Sequence, residues 1–339
     1  MTELRPTASD IHIGGGNVSV SMLGTWWRCP RLWFWQYLYP WPSGERGVEP
    51  KYTASPLMVG SGVHVGLAAW YMSGWQDGNY ALDPALDAAR NVFKSRRAEF
   101  ESEERYASDL AEVERLLRAY DGEYGPNAHI PEFPTFRAAT QPANTTKPYI
   151  ESTFNLTLKT GHILTVRPDM IGVNHGMLVA VEHKTPGASR VSATIGEATL
   201  GGQGLAQAAV LRKFDAPTSG QLLNLVVKGP VRNTKPFQRH VIGFDPHIID
   251  HFLHMVEQTI GDIERTVARW YTLLDDGMAA IEAARVMFPM AGILNGNCHR
   301  FNRPCPMFGL DTAPGREAAT LANYRVRTYK SDKPTEEET

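Results

Sequence analysis

Residues 149–184 constrain the fold most, because their pattern changes from the helical period of the preceding segment to that of β-strands. Glycine turns at Gly161 and Gly176 divide the segment. The pattern predicts three strands, over residues 149–158, 163–173 and 177–183. Strands joined by short turns pair as hairpins, so the segment predicts a sheet around which the rest of the chain must fold.

Helical patterns lie on both sides of this segment. The predicted helices cover residues 57–72, 83–120, 195–213 and 246–287, and further strands cover 221–228 and 237–244. This order predicts an α/β (α+β) fold with a mixed central sheet flanked by helices. The predicted regions are a flexible N-terminus (1–20), a helical region (21–148) that ends in a Pro-rich linker (125–148), a core of sheet and helix (149–246), C-terminal helices with a cysteine segment (247–329) and a disordered tail (330–339).

Composition excludes several classes of protein. The 34 basic and 36 acidic residues give a net charge of −2, which excludes a polybasic coat protein and leaves a local basic groove open. Three cysteines are too few for a disulfide-stapled scaffold and favour a reducing compartment. The sequence shows no signal-peptide pattern and no apolar run of about 18 residues, so we expect a soluble, cytoplasmic protein.

Two short motifs carry the chemistry, Arg167-Pro168-Asp169 and Glu182-His183-Lys184. In paired strands both carboxylates reach the same sheet edge, and Glu182 and Lys184 point to one face because they are two residues apart. Carboxylate oxygens hold Mg²⁺ or Mn²⁺ for attack on a phosphodiester, and a lysine beside the metal orients the attacking water. The alternative is an exposed hairpin with a surface Glu–Lys pair.

These motifs resemble those of the PD-(D/E)xK nuclease superfamily, and within it the RecB-like branch, which includes CRISPR-associated exonucleases and phage nucleases. Further matches are Gly60 and His64 on the helix over 57–72, Thr185 after Lys184, Glu151 at the opening of the first predicted strand, and Gln203 with Gln207 where the branch has Gln-x-x-x-Tyr. Gln207 therefore replaces the tyrosine. Taken singly, each of these residues has an ordinary structural alternative.

The resemblance implies a restriction-endonuclease-like fold and a Mg²⁺- or Mn²⁺-dependent deoxyribonuclease from a prokaryote or phage. The implied activity is that of an exonuclease on DNA ends or single strands, in replication, recombination or repair and with protein partners of those processes. His64, Asp169, Glu182 and the backbone carbonyl of His183 would hold the metal, and Lys184 and Gln203 would complete the catalytic set. Candidate phosphate contacts are Lys159, Arg167, Lys228 and Arg232.

All three cysteines, Cys29, Cys298 and Cys305, lie in segments where the related nucleases bind a 4Fe–4S cluster. A fourth cysteine is missing from this chain. Asp311 stands at its position and His299 is another possible ligand, so a cluster with either residue, a 3Fe–4S cluster, zinc and no metal all stay open. The structural alternative is three buried apolar thiols.

The main rival function is a DNA-binding or assembly subunit that keeps the nuclease fold without turnover. The replaced tyrosine and the missing cysteine favour it, and the intact set of Asp169, Glu182 and Lys184 argues against it. A second rival is an enzyme of another kind on an unrelated α/β fold. Metal-dependent cleavage of DNA would discriminate among the three.

Overall fold

The computed structural model describes residues 16–41, 45–126, 128, 136–141, 144–174, 177–213, 220–229, 234–291, 298–300, 303–312 and 320–327. Contacts divide the chain into two compact units, one of residues 52–257 and one of residues 1–51 with 258–339. Within the described ranges, no helix has both the length and the apolar character needed to cross a membrane. The five regions predicted from the sequence are divided by their expected secondary structure and not by contacts, so their boundaries stay predictions.

The strands and helices are numbered here in chain order. The strands are β1 (Asn17–Ser19), β2 (Val48–Pro50), β3 (Phe136–Ala138), β4 (Thr140–Gln141), β5 (Asn144–Pro148), β6 (Phe154–Thr157), β7 (Ile163–Val166), β8 (Met170–Asn174), β9 (Met177–Lys184), β10 (Gly220–Val226), β11 (Phe237–Gly243), β12 (His299–Arg300), β13 (Arg303–Pro304) and β14 (Tyr324–Val326). The α-helices are α1 (Val20–Arg28), α2 (Pro30–Trp33), α3 (Ser55–Gly74), α4 (Leu82–Ser95), α5 (Glu103–Tyr124), α6 (Val191–Leu200), α7 (Gly202–Leu211), α8 (Pro246–Asp275), α9 (Ala280–Met287) and α10 (Phe308–Thr312). A π-helical turn, Phe34–Leu38, follows α2.

A five-stranded sheet forms the centre of the unit of residues 52–257, in the order β11-β10-β9-β8-β3. β9 and β10 are parallel, and the other neighbouring pairs are antiparallel. A parallel pair needs a crossover connection, which α6 and α7 supply between β9 and β10. The predicted mixed α/β class is confirmed.

The two faces of this sheet have separate cores. Leu222 and Val226 of β10 belong to a large cluster with buried residues of α3, α4 and α5. Leu223 and Leu225, which point the opposite way, belong to a smaller cluster with Val191 at the start of α6. Helices therefore cover both faces, as in a restriction-endonuclease-like fold.

Two glycines hold α3 close to its neighbouring helices. A Cβ at Gly62 would stand 2.8 Å from the Phe93 ring of α4 and 2.9 Å from the Val113 side chain of α5. A Cβ at Gly66 would stand 2.5 Å from Leu117. Larger residues would push α3 outward, so these glycines fix the helix that presents His64 to the sheet edge.

The unit of residues 1–51 and 258–339 has an aromatic core. Phe288 stacks on Trp33 at 6.2 Å between ring centroids and packs on Phe34 at 5.2 Å, and Phe34 meets Trp270 at 5.7 Å. The buried Arg31 side chain donates from Nε to the Phe288 carbonyl at 2.8 Å. The tryptophan-rich segment after residue 20 therefore builds the core of this unit.

Three predicted elements are wrong in extent. The single strand over 163–173 is two strands, because the chain leaves the β6–β7 hairpin after Val166 and enters the central sheet only at Met170. Pro168 between them lacks an N–H and restricts the residue before it. The helix over 195–213 is α6 and α7, separated by Gly201, where a Cβ would stand 2.2 Å from the Glu197 carbonyl oxygen. The linker over 125–148 contains β3, which forms an edge of the central sheet.

Two predicted segments differ in smaller ways. The helical pattern over 83–120 is α4 and α5, separated by a 3₁₀ turn at Arg97–Glu99. Within the predicted flexible N-terminus, residues 17–19 form β1 and α1 begins at Val20. Residues 1–15 and the predicted disordered tail over 330–339 lie outside the described residues.

Candidate active site

The antiparallel pairing of β8 with β9 brings the two candidate carboxylates to one edge. Met170 pairs with Val181, so Asp169, one residue before β8, lies beside Glu182. The His183 N–H donates to Asp169 Oδ2 at 2.6 Å and ties the aspartate to β9. The side chains of Asp169 and Glu182 are 12% and 4% exposed, so the two carboxylates meet at a position that is largely shielded from solvent.

His64 reaches this point from α3. Its Nδ1 lies 3.1 Å from Asp169 Oδ1. Burial lowers the pKa of His64, but the charge of Asp169 and the hydrogen bond to it more than offset this, and the pKa lies above its usual value. The candidate histidine and the first candidate carboxylate are therefore direct partners.

Lys184 and Gln203 complete the set that the sequence predicted. Lys184 Nζ donates to Glu182 Oε1 at 2.6 Å and to Gln203 Oε1 at 3.0 Å. Gln203 Nε2 donates to the same Glu182 oxygen at 2.8 Å. Gln203 stands in the first turn of α7, so the break at Gly201 begins the helix next to the carboxylate. The ammonium has three N–H donors, and these two contacts leave one for a substrate or water.

Gln207, one helical turn after Gln203, also contacts Glu182. Its Nε2 lies 3.0 Å from Glu182 Oε2, and its Oε1 accepts from Gln221 Nε2 of β10 at 3.0 Å. The side chains of Gln207 and Gln221 are both buried. Sequence reasoning treated Gln207 only as a departure from the family pattern and did not single out Gln221.

A buried polar network supports His183 from the other face of the sheet. His183 Nδ1 lies 2.8 Å from Asn224 Nδ2, and Asn224 also donates to the Tyr120 hydroxyl at 3.0 Å. Arg239 Nη2 donates to the same hydroxyl at 3.0 Å. Tyr71 stacks on the His183 ring at 5.9 Å. The asparagine at position 224, between the apolar residues Leu223 and Leu225, was the available signal for this network.

The electrostatics of the site separate its two carboxylates. Burial opposes ionisation of Asp169, but His64 and the hydrogen bonds that Asp169 accepts dominate and lower its pKa to about 2. Burial and the charge of Asp169 raise the pKa of Glu182. Burial lowers the pKa of His183 to about 4, so its imidazole is neutral near pH 7. The site thus places two carboxylates side by side in a desolvated position, where a bound cation would offset their repulsion.

Glu151 lies at the margin of this group. Its φ is +50°, in the left-handed region, and its N–H donates to the Asp169 carbonyl at 3.0 Å. Burial and the nearby charge of Asp169 raise the pKa of Glu151. Arg167 Nε lies 3.2 Å from Glu151 Oε2. Both residues therefore belong to the rim of the site.

The other candidate phosphate contacts are Lys159, Lys228 and Arg232, and within the described part of the chain the first two form their hydrogen bonds with residues outside the site. Lys159 is exposed in the β6–β7 turn, and its backbone N–H donates to Glu257 at 2.9 Å. Lys228 Nζ donates to the Pro56 carbonyl at 3.0 Å, and burial lowers its pKa. Arg232 lies outside the described residues.

The donors at this edge of the sheet suit a divalent cation after a small rearrangement. No group of three or more His, Cys, Asp or Glu side chains in the described part of the chain encloses a metal position as it stands. His64 Nδ1 and Asp169 Oδ1 share a hydrogen bond of 3.1 Å, and a divalent cation would take the place of the shared proton. Their spacing is close to the roughly 3.0 Å between adjacent ligands of an octahedral ion with bonds of about 2.1 Å. Glu182 adds a buried carboxylate beside them. The residues therefore fit a divalent cation, with Glu182 turned towards Lys184.

The cysteines do not form a comparable group. Cys29 is buried between α1 and α2, and its amide N–H donates to the Thr25 carbonyl at 2.9 Å. The Cys305 N–H donates to the Cys298 carbonyl at 2.7 Å. Among the described residues the three thiols are not assembled into a metal-binding group. The side chains of Asp311 and His299 lie outside what is described, so a role for either as a fourth ligand stays a prediction.

The chain matches the model of a known protein family. The model of the PD-(D/E)XK nuclease superfamily matches residues 17–289. This range includes Asp169, Glu182, Lys184, His64 and Gln203. No curated protein matches the chain.

Proposed function

Because the chain belongs to the PD-(D/E)XK nuclease superfamily, we propose that it is a Mg²⁺- or Mn²⁺-dependent nuclease that hydrolyses phosphodiester bonds in DNA. The observation that carries the proposal is the meeting of His64, Asp169, Glu182 and Lys184 at one edge of the central sheet. Two desolvated carboxylates and an imidazole suit a divalent cation, and an ammonium beside them suits the charge that develops on a phosphate during hydrolysis.

Each residue has a proposed role. His64 Nδ1, the carboxylates of Asp169 and Glu182, and the His183 carbonyl would hold the cation, which supplies charge neutralisation at the phosphate and an acidified water. The His183 N–H keeps Asp169 facing β9. These contacts set the position of the donors before substrate arrives.

Lys184 is the proposed partner of the attacking water. Its ammonium is held by Glu182 and Gln203, and the side chain is 36% exposed, so the remaining N–H is accessible to a substrate. A fixed positive charge there would orient water and offset charge that develops on the phosphate. Gln203 contacts both Lys184 and Glu182, so it would act as a positioning residue and would also place DNA or water.

DNA contacts are proposed for the rim. Arg167 is nearly half exposed and stands two residues before Asp169, so it suits the phosphate next to the scissile one. Lys159, Lys228 and Arg232 are weaker candidates, and Lys228 would first have to leave the Pro56 carbonyl.

Finer features rest on the resemblance to the RecB-like branch. They are exonuclease action on DNA ends or single strands, a role in replication, recombination or repair, protein partners in those processes, and a prokaryotic or phage source. An iron–sulfur cluster has no support in the described residues and stays a prediction. The cytoplasmic location, expected from the three cysteines, is also proposed.

Cleavage of end-labelled DNA tests the proposal. Single-stranded and duplex substrates should be degraded with Mg²⁺ or Mn²⁺ and left intact with EDTA. Asp169→Asn should abolish cleavage, whereas Asp87→Asn, on the exposed surface of α4, should not. DNA binding without cleavage in either metal would instead support the rival, a non-catalytic binding subunit.

A further inference from the structure

We propose that Gln207 and Gln221 form a positioning pair that orients Glu182 for the divalent cation. The inference rests on the proposed function, because it concerns the cation that the site would hold. Gln207 Nε2 lies 3.0 Å from Glu182 Oε2, and Gln221 Nε2 lies 3.0 Å from Gln207 Oε1. Gln221 does not need to touch the site, since it acts through Gln207.

The hydrogen bonds from Gln221 to Gln207 and from Gln207 to Glu182 run in one direction. An amide has one acceptor and one donor end, and the contact with Gln221 uses the acceptor end of Gln207. The donor end of Gln207 must then face the carboxylate. The ionised carboxylate of Glu182 can only accept, so it sets this direction, and the N–H that Gln221 donates to Gln207 Oε1 holds the amide in place.

The two oxygens of Glu182 are held by different elements. Lys184 and Gln203 donate to Oε1, and Gln207 donates to Oε2. Contacts on both oxygens fix the plane of the carboxylate as well as its position. Partners of this kind orient metal-ligating side chains.

The fold makes room for the pair at some cost. A Cβ at Gly204 would stand 2.9 Å from Gln221 Oε1 and 2.5 Å from the Phe244 ring, so a larger residue at this position of α7 would displace one of these side chains. Gln221 Oε1 is buried and lacks a hydrogen-bond partner among the described atoms. Buried polar groups without partners destabilise a fold, and Leu223 and Leu225 show that apolar side chains suit this face of β10. The polar pair is therefore explained by what it does to Glu182.

Binding of Mn²⁺ alone, measured by titration calorimetry on the full chain, tests the pair without DNA. Gln207→Leu should weaken Mn²⁺ binding roughly tenfold to hundredfold, the usual effect of losing a group that orients a ligand. Gln221→Leu should weaken it by a smaller factor, and should have no further effect when added to Gln207→Leu. The matched control is Gln238→Leu on β11, which should bind Mn²⁺ like the wild type.

Several results would overturn the pair. They are wild-type Mn²⁺ affinity in Gln207→Leu, an effect of Gln221→Leu that persists in the Gln207→Leu background, or a wild-type chain that binds no Mn²⁺. If Gln207→Leu does not fold, as judged by circular dichroism, the same titration is made with Gln207→Met, because the methionine side chain is closer to glutamine in shape and volume. A wild type that binds Mn²⁺ but leaves all DNA intact would defeat the proposed nuclease and leave the pair to be decided by the binding data.

Discussion

Lys184→Met should separate catalysis from folding at this site. Methionine keeps most of the length of the side chain but removes the charge and both hydrogen bonds, to Glu182 Oε1 at 2.6 Å and to Gln203 Oε1 at 3.0 Å. The lysine side chain is 36% exposed, and Glu182 keeps its contacts with Gln203 and Gln207. The free energy of unfolding should therefore fall by only about 1 kcal/mol, which shifts Tm by roughly 2–4 °C in a unit of this size.

The effect on cleavage should be much larger. Loss of one preorganised group that stabilises developing charge costs about 10²–10³-fold in rate, or about 2.7–4 kcal/mol. The assay is initial rate on end-labelled DNA at saturating Mn²⁺, with thermal unfolding of the same preparations. Lys213→Met, at the exposed end of α7, is the control and should cleave like the wild type. A Lys184→Met protein that cleaves within threefold of wild type, or that loses activity only because it unfolds, would refute the proposed role.

Further predictions concern the metal and the thiols. Asp169→Ala and Glu182→Ala should each reduce metal-dependent cleavage at least ~10²-fold with the fold intact, and near wild-type cleavage would remove that residue from the catalytic set. His64→Ala should lose Mn²⁺-supported cleavage more than Mg²⁺-supported cleavage, because a nitrogen ligand favours Mn²⁺ relative to an all-oxygen site; equal rates to wild type in both metals would leave His64 without a role. If the thiols bind an iron–sulfur cluster, the purified protein should absorb visible light, and Cys29→Ser should lose that absorbance. A colourless wild-type protein free of iron and zinc would exclude a metal site at the three cysteines.

The central sheet could be predicted from sequence because its signals are local. The apolar run that opens β9 and the short turn before it predict the β8–β9 pairing, and that register alone puts Asp169 beside Glu182. The spacing of Glu182 and Lys184 likewise fixes their common face. The breaks at Pro168 and Gly201 were visible as residue types, but whether such a residue ends an element depends on tertiary contacts.

The partners of the site could not be predicted in this way, since they are distant in sequence. Asn224 is 41 residues from His183 and 104 from Tyr120, and Gln207 is 25 residues from Glu182. Nothing in the local pattern of β10 says which buried polar group its single asparagine will meet. The resemblance supplied the order of the motifs, but it marked position 207 only as a missing tyrosine.

The replaced tyrosine bears on whether the chain is an active nuclease or an inert relative. Sequence reasoning counted Gln207 towards the inert subunit, but its amide donates to Glu182 Oε2 at 3.0 Å, and a second glutamine holds the amide in that orientation. The replacement therefore keeps a donor on the carboxylate. A chain released from catalysis would gain stability by replacing Asp169 and Glu182, because two buried, mutually repelling carboxylates are costly to fold. Their presence beside His64 and Lys184, with donors on both oxygens of Glu182, favours the proposed nuclease over the inert subunit.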